Sequence, residues 1–439
     1  MLNNIITRYK NSSLAKRFAG GTLWSFLAGA TYNLAFLILG FILAHILGKY
    51  YYGQYGMVRS TINMFIVFSS FALGTTATKY VAQYRFSDKL KAERIINLSL
   101  IASVLFAVLV FIICLCSSKY LAVNTLNTAE LIPALNIGAF MILFLTVSSV
   151  VNGVLIGFEE FYLIFKQNII AVIFLLIFSS LGGYYLKVNG ALAGLLIYLF
   201  VSLCLGIYYL FKVYKRENLH FTFKNTKQEI RVLWQFSLPT MLGGIVCTPI
   251  VWVANTILVN SDAGYGAMAG LDIIKQWYSA VLFIPVIASR VVLPMLSNLS
   301  DNTNKKSYYK VLKYSFLVNV GSAFLIGVIL FLASKYLLMA YGSNFIEFKN
   351  AFGIMMLVAV VYVANSIVGQ IILSKNYAWW GFLFNALWAI VFIVFNIIFV
   401  KQHNMGVWGV SLAYLISYIF HTVVQSIFSW VILVEKNEK

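Results

Sequence analysis

Residues 98–116 read LSLIASVLFAVLVFIICLC, a stretch without a single charged side chain. A helix crosses the hydrocarbon core of a membrane with about 20 apolar residues, which is close to the length of this stretch. Comparable apolar runs occupy residues 169–181, 192–211 and 380–400. Of the 439 residues, 10% are charged, against about 25% in soluble domains. With five prolines and no alternating pattern of barrel strands, the sequence predicts an all-α polytopic membrane protein.

The apolar runs and their polar breaks predict about 12 transmembrane helices. The expected spans are 20–46, 54–81, 95–116, 131–156, 165–185, 191–213, 236–259, 265–297, 314–333, 351–373, 379–400 and 407–434. We expect an N-terminal six-helix bundle over 1–213, a cytoplasmic linker over 214–235 and a C-terminal six-helix bundle over 236–439. The two halves of the sequence are weakly similar, since one constant shift along the chain aligns Gly53 with Gly264 and Lys79 with Arg290. This is typical of a parallel repeat, in which a transporter binds its substrate between the halves.

The net charge of +19 is unevenly distributed along the chain. Lysine and arginine concentrate in segments 8–17, 85–94, 212–231 and 305–313, whereas the alternate connections hold isolated lysines. The positive-inside rule therefore predicts that both termini are cytoplasmic. The same rule explains why the loops are basic, so we do not expect nucleic acid as a partner. We expect the basic loops to contact anionic membrane lipids instead. The polar stretch 1–17 does not match a signal peptide, so the first span is expected to be an uncleaved anchor.

Four cationic side chains, Arg59, Lys79, Lys275 and Arg290, lie inside otherwise apolar spans. Asp272 is the acid among them that could balance their charge. A lysine or arginine at the centre of a spanning helix costs about 2.5–3.5 kcal/mol, and such residues usually face a bundle interior or a watery cavity. Their excess over acids predicts a site for negative charge.

The eighth expected span carries a polar stripe. On an ideal helix Asp272, Lys275, Gln276 and Ser279 occupy one face, and Arg290 returns to it five turns after Asp272. Two alternatives stay open: Asp272 and Lys275 could form a local ion pair three residues apart, and Arg290 could extend to the cytoplasmic headgroups. We favour a cavity wall, with Asp272, Lys275, Gln276 and Arg290 as substrate-binding candidates.

Arg59 is the fifth substrate-binding candidate, although it lies close enough to the outer end of its span to extend to the headgroups instead. Lys79 is a lesser candidate, because an ideal helix places it about 160° away from Arg59 unless the helix bends near Gly74. Extension to the cytoplasmic interface is the favoured interpretation for Lys79. His45 and Asn255 are the other lesser candidates, the first for proton sensing and the second for lining a hydrated path or packing between helices.

The sequence does not predict an enzyme. It has no G-x-x-x-x-G-K-[ST] loop, so ATP hydrolysis by this chain is not expected. The four histidines are scattered without metal-ligand spacing, and intramembrane carboxylates are scarce. We therefore expect no catalytic residues, no metal site and no cofactor.

Several short runs together carry a family resemblance. The first two spans are expected to meet in a short polar and aromatic turn at 47–56, LGKYYYGQYG, and the second closes at 73–85, LGTTATKYVAQYR. The eighth closes at 292–300, VLPMLSNLS; SLP at 237–239 opens the seventh, and GVWGV at 406–410 opens the twelfth. With these runs the chain resembles the polysaccharide transport family, the flippases of O-antigen and capsule repeat units. That family belongs to the multidrug, oligosaccharidyl-lipid and polysaccharide exporter superfamily.

The resemblance implies two six-helix bundles around a central cavity that works by alternating access. It also implies an undecaprenyl-diphosphate-linked oligosaccharide as the substrate, moved across a bacterial plasma membrane for surface polysaccharide biosynthesis. Arg59, Lys275 and Arg290 then become candidate diphosphate contacts, by position and charge rather than by a matched motif. Polysaccharide polymerase and chain-length proteins are further candidate partners.

Two other functions compete with this hypothesis. A drug or organic-ion exporter of the same superfamily would often handle cations, which a cationic cavity should repel. A membrane-embedded polysaccharide polymerase or ligase would need an external catalytic loop or a cluster of reactive side chains, and neither is evident. A scaffold for other membrane enzymes remains a further alternative.

Overall fold

A computed structural model describes residues 13–222, 226–298, 305–375 and 377–435 of the chain. Over these residues the protein is built from long α-helices. We number those longer than eight residues α1 to α11 in chain order. They are α1 Ser13–Ser70, α2 Leu73–Tyr84, α3 Lys89–Tyr120, α4 Ile132–Gly157, α5 Phe161–Arg216, α6 Leu238–Val259, α7 Gly264–Asn298, α8 Lys305–Tyr341, α9 Lys349–Ser374, α10 Ala378–Asn396 and α11 Gly406–Glu435.

The predicted all-α membrane fold is confirmed. In the described ranges, 9 helical segments are long and apolar enough to cross a membrane. Two of these, Gly20–Ser70 and Phe161–Arg216, each contain a bend and supply two spans. The remaining predicted span, 265–297, is the long helix α7. Every one of the twelve expected spans therefore has a helical counterpart, and the chain is a multi-pass membrane protein.

The junction between the first two spans is tighter than the sequence predicts. Residues 47–56 were expected as a short polar and aromatic turn, but the helix continues through them and leaves helical geometry only at Gly48. Gly48 has φ 67° and ψ 172°, a conformation that a residue without a Cβ adopts readily. The tyrosines after it remain helical because Tyr52 and Tyr55 pack in the protein interior, almost fully buried.

The hairpin between the fifth and sixth spans bends at Leu186 and Lys187. Close backbone approach of Gly182 and Gly190 lets the two arms meet, since a Cβ on either glycine would overlap the backbone of the other. Lys187 itself has φ 49° and ψ −129°, a region that glycine occupies far more easily than a residue with a side chain.

Lys187→Gly is therefore expected to stabilise the protein. Relief of the backbone strain should raise the free energy of unfolding by about 1 kcal/mol. Thermal unfolding in detergent would measure the shift of the midpoint. Lys187→Ala is the matched control, because it removes the same side chain but keeps the Cβ. If the unfolding midpoint of Lys187→Gly is no higher than that of Lys187→Ala, the backbone at this position is not strained.

The second span is interrupted two residues before the glycine at which the sequence allowed a bend. Phe71 and Ala72 both adopt positive φ, at 43° and 51°, and α2 starts at Leu73. Gly74 instead serves close packing, because a Cβ there would approach the Ser149 carbonyl of α4. A hydrogen bond of 3.0 Å from the Thr78 hydroxyl to the Gly153 carbonyl reinforces this contact between helices.

The chain divides into two compact units. Unit 1 comprises Met1–Leu39, Ile62–Ala122 and Ala129–Met241, and unit 2 comprises Gly40–Thr61, Val123–Thr128 and Leu242–Lys439. The segment Gly40–Thr61, which belongs to the first half of the sequence, is thus part of unit 2. The domain boundaries 1–213, 214–235 and 236–439 stay a prediction.

Part of the expected linker is fixed to unit 1. The Asn97 side-chain amide donates to the His220 carbonyl over 2.9 Å, and the Glu93 carboxylate accepts from the His220 backbone N–H over 2.9 Å. Arg94 forms an ion pair with Glu229 at 3.1 Å. These contacts hold the connection that follows α5 against the start of α3.

Candidate functional site

The polar stripe expected on the eighth span lies on α7 in unit 2. Asp272, Lys275 and Gln276 fall within little more than one helical turn, so all three side chains leave the same side of the helix. The hydroxyl of Ser279 donates to the carbonyl of Lys275 over 2.9 Å and so contacts its own helix. The first three residues therefore define the chemistry of the stripe.

Asp272 faces the arm of α1 that follows the Gly48 bend. Its carboxylate lies 3.6 Å from the Arg59 guanidinium, and the two side chains are 16% and 26% exposed. Gly56 borders this pair, and a Cβ there would lie 3.4 Å from the Asp272 side chain, an ordinary contact distance. Arg59 also lies over the ring of Tyr55, at 5.3 Å from its centroid. A carboxylate thus lies beside an arginine inside the membrane-spanning part of unit 2.

Gln276 joins the carboxylate to two buried tyrosines. Its amide nitrogen lies 2.7 Å from the Tyr52 hydroxyl and 3.3 Å from the Asp272 carboxylate. The Tyr341 hydroxyl donates to the amide oxygen over 3.4 Å. Gly40 makes room for the amide, because any Cβ at that position would collide with it. Gln276 therefore ties α7 to α1 and α8, and its role in substrate binding stays a prediction.

Lys275 has a different set of neighbours. Its ammonium group donates to the Asn255 amide oxygen over 3.2 Å, and the Asn255 amide nitrogen donates to the Ser60 hydroxyl over 2.8 Å. The ring of Tyr414 lies 5.7 Å from the ammonium nitrogen. The open alternative of a local Asp272–Lys275 ion pair is not the arrangement found, because the carboxylate pairs with Arg59 and the lysine with a neutral amide.

We call Arg59, Asn255, Asp272, Lys275 and Gln276 the polar cluster of unit 2. Two cations and one carboxylate give this cluster one positive charge in excess. Because the surroundings of a spanning helix have a low dielectric constant, this charge acts more strongly on an anion than it would in water. The arrangement suits the binding of a phosphate-bearing group.

The remaining predicted candidates lie elsewhere. Arg290 belongs to α7, but its side chain lies outside the described residues. Lys79 belongs to unit 1, where its ammonium group lies over the Phe236 ring at 3.8 Å. His45 is exposed on α1, with Nδ1 at 2.8 Å from the Phe41 carbonyl. Their roles stay predictions.

Three hydrogen-bonding neighbours of the cluster were not predicted from the sequence: Tyr52, Ser60 and Tyr341. Tyr52 lies in the aromatic run 47–56, where its place beside the glycines was a usable signal. Ser60 and Tyr341 carried no such signal, because the local sequence does not show which polar residue of an apolar helix will contact a polar residue of another helix. The described residues contain no group of three or more histidine, cysteine, aspartate or glutamate side chains that could hold a metal ion.

Solved structures show the same fold. An inward-facing multidrug resistance MATE family transporter of the MOP superfamily superposes with a TM-score of 0.81 at 15% identity, covering 92% of this chain and 95% of that one. A MOP superfamily transporter from Pyrococcus furiosus Vc1 (DSM3638), whose binding pocket is described as having reverse polarity, gives a TM-score of 0.66 at 14% identity and 95% coverage of both chains. At these identities the likeness concerns the fold alone.

Two curated relatives are more informative about family. The EPS I polysaccharide export inner membrane protein EpsE of Ralstonia nicotianae (strain ATCC BAA-1114 / GMI1000) is 21% identical over 182 residues, which are 40% of this chain and 41% of that protein. Its namesake from Ralstonia solanacearum is 20% identical over 168 residues, or 38% of each chain. The matched region is about two fifths of the length of these relatives.

The family model for polysaccharide biosynthesis proteins, Polysacc_synt, matches residues 18–300. This range includes the polar residues of α7 and the α1 segment that meets them, and it confirms the resemblance found in the short motifs. Since the match covers more than half of the 439 residues, the chain belongs to the polysaccharide biosynthesis protein family.

Proposed function

We propose that this protein is a flippase that carries an undecaprenyl-diphosphate-linked oligosaccharide repeat unit across the bacterial plasma membrane by alternating access. The observation that carries the proposal is the polar cluster of unit 2, in which Arg59 and Lys275 outnumber the single carboxylate of Asp272. Membership of the polysaccharide biosynthesis family supports the substrate class. The names of the Ralstonia relatives describe polysaccharide export at an inner membrane.

The two cations suit different parts of the task. A guanidinium can grip two phosphate oxygens at once, whereas an ammonium group on a flexible stem acts as a mobile point charge. Asp272 holds Arg59 at 3.6 Å, a loose distance for an ion pair, so a diphosphate can compete for the same guanidinium. When the diphosphate leaves, the carboxylate takes its place. The cluster then binds the headgroup without retaining it.

The cluster also favours an anion over the organic cations of a drug exporter. A cation entering it would meet two like charges, and its single counter-charge already contacts Arg59. Like-charge contact in a desolvated site is a strong means of rejecting the wrong substrate. Membrane lipids, a polysaccharide polymerase and chain-length proteins are the proposed partners. A cytoplasmic position of both termini is part of the proposal, and the distribution of basic residues among the loops supports it.

Reconstitution into vesicles tests the proposal. We expect the purified protein to move a polyprenyl-diphosphate-linked oligosaccharide between leaflets, measured as the fraction that an external glycosidase cleaves over time. Ethidium transport in the same vesicles is the matched assay for a drug exporter. Ethidium transport without movement of the lipid-linked sugar would overturn the proposed function.

A further inference from the structure

A polar cavity of about 530 Å³ lies in unit 2 where several helices end. Lys49, directly after the Gly48 bend, forms an ion pair in it with Glu347, which lies on the short turn Ser343–Phe348 between α8 and α9. Asn404, between α10 and α11, also lines it. The connections that contribute these residues alternate with the basic loops, so the cavity is at the predicted outer face of the membrane.

An apolar groove of about 510 Å³ runs between α8 and α9. Phe324 and Phe331 of α8 line it, together with Leu357 of α9, and these side chains are 55%, 45% and 53% exposed. Gly327 forms part of the groove wall, and a Cβ at this position would lie 3.7 Å or more from the nearest atoms of α9. Exposed aromatic and aliphatic walls on membrane helices suit an apolar chain.

The cavity and the groove adjoin each other. Asn350, at the start of α9, and Trp408, at the start of α11, line both of them. Trp408 is 42% exposed, and tryptophan prefers the boundary between hydrocarbon and headgroups. One ligand could therefore place a polar head in the cavity and an apolar chain in the groove.

The length of the groove matches one leaflet of a bilayer. On α9 its lining extends from Asn350 to Val360. At about 1.5 Å per helical residue this is about 15 Å, or half of a hydrocarbon core of about 30 Å. A lipid of the predicted outer leaflet thus fits the site, with its head at the membrane surface.

The lining of the cavity indicates the class of headgroup. Lys49 and Glu347 are the charged residues of its described lining, and they neutralise each other. The amides of Asn350 and Asn404 can each donate and accept hydrogen bonds, as sugar hydroxyls do. A neutral glycosyl group can bind to such a surface without breaking the ion pair, whereas an anionic or zwitterionic headgroup would have to compete with it.

We propose that unit 2 carries a binding site for a neutral glycolipid, with its sugar in the Lys49–Glu347 cavity and one acyl or isoprenoid chain in the groove between α8 and α9. This site shares no residue with the polar cluster around Lys275. It goes beyond the proposed flippase activity and does not depend on it.

Native mass spectrometry of the full-length protein from lipid nanodiscs tests the site. The probe is monoglucosyl-diacylglycerol in a phosphatidylcholine bilayer, compared in separate samples with phosphatidylethanolamine and with diacylglycerol, which lacks the sugar. We expect the glycolipid to be retained about tenfold more than each comparison lipid, the scale of one or two additional hydrogen bonds. Equal retention of phosphatidylethanolamine or of diacylglycerol would overturn the proposal.

Variants locate the binding. Gly327→Leu fills the groove, and Gly321→Leu is its matched control on the same helix, where a Cβ meets nothing within 4 Å. Asn404→Gly removes an amide from the cavity at a backbone φ of 52°, which glycine tolerates. We expect Gly327→Leu and Asn404→Gly to lose the selective retention and Gly321→Leu to keep it. The proposed site would be contradicted if Asn404→Gly retained the glycolipid as the wild type does. The same result for a Gly327→Leu protein with an unchanged unfolding midpoint would also contradict it.

Discussion

Lys275→Met is expected to slow flipping of the lipid-linked oligosaccharide about tenfold to a hundredfold. A hydrogen bond to a charged group contributes about 1.5–3 kcal/mol, and the loss of the ammonium removes such a bond to the diphosphate. It also removes the positive charge that the polar cluster has in excess, leaving Arg59 and Asp272 as a neutral pair. The rate at which an external glycosidase gains access to the sugar measures the effect.

Two variants separate this effect from a general loss of charge. Lys401→Met removes a lysine from the connection after α10 and should leave the rate unchanged. Lys275→Arg keeps the charge and should retain part of the activity, although a rigid guanidinium replaces a flexible point charge. If Lys275→Met flips the substrate at the wild-type rate, Lys275 has no part in diphosphate binding.

The helical architecture was predictable because a membrane imposes one simple rule. Backbone groups in hydrocarbon must be satisfied within the chain, so each apolar run of about 20 residues becomes a helix. Junctions were harder to predict. Residues 47–56 look like a turn by composition, yet a single positive φ at Gly48 is enough to turn the chain. The break at Phe71 and Ala72 had no local signal at all, since both residues are ordinary helix formers.

The site was predictable only along a single helix. Helical periodicity places Asp272, Lys275 and Gln276 on one face, and the structure has them there. Periodicity says nothing about the other helices. That Asp272 would meet Arg59, and Lys275 would meet Asn255, depends on how α1, α6 and α7 pack in unit 2. Helix contacts in membranes form through small residues, and these carry little information about which helix they will meet.

Gly53→Ala is expected to disrupt the contact between α1 and α7 and thereby lower both stability and transport. Gly53 lies so close to the Tyr265 carbonyl that a Cβ would overlap its oxygen atom, and a backbone carbonyl cannot rotate away as a side chain can. Overpacking of this kind costs about 1–3 kcal/mol. Arg59 follows Gly53 on α1 and Asp272 follows Tyr265 on α7, so a separation at this point moves the two charges apart. Thermal unfolding and the flipping assay would measure the two effects.

Gly381→Ala is the matched control, because a Cβ on this helical glycine of α10 meets nothing within 4 Å. It should keep the wild-type flipping rate and raise stability slightly, by up to about 1 kcal/mol, since alanine restricts the unfolded chain more than glycine does. A Gly53→Ala protein that unfolds at the wild-type midpoint would show that α1 and α7 do not touch at this glycine. A Gly53→Ala protein that is less stable but flips normally would show instead that transport does not require Arg59 and Asp272 to lie together. The two measurements on one variant therefore test two statements separately: that α1 and α7 are in contact at Gly53, and that transport requires Arg59 and Asp272 to lie together.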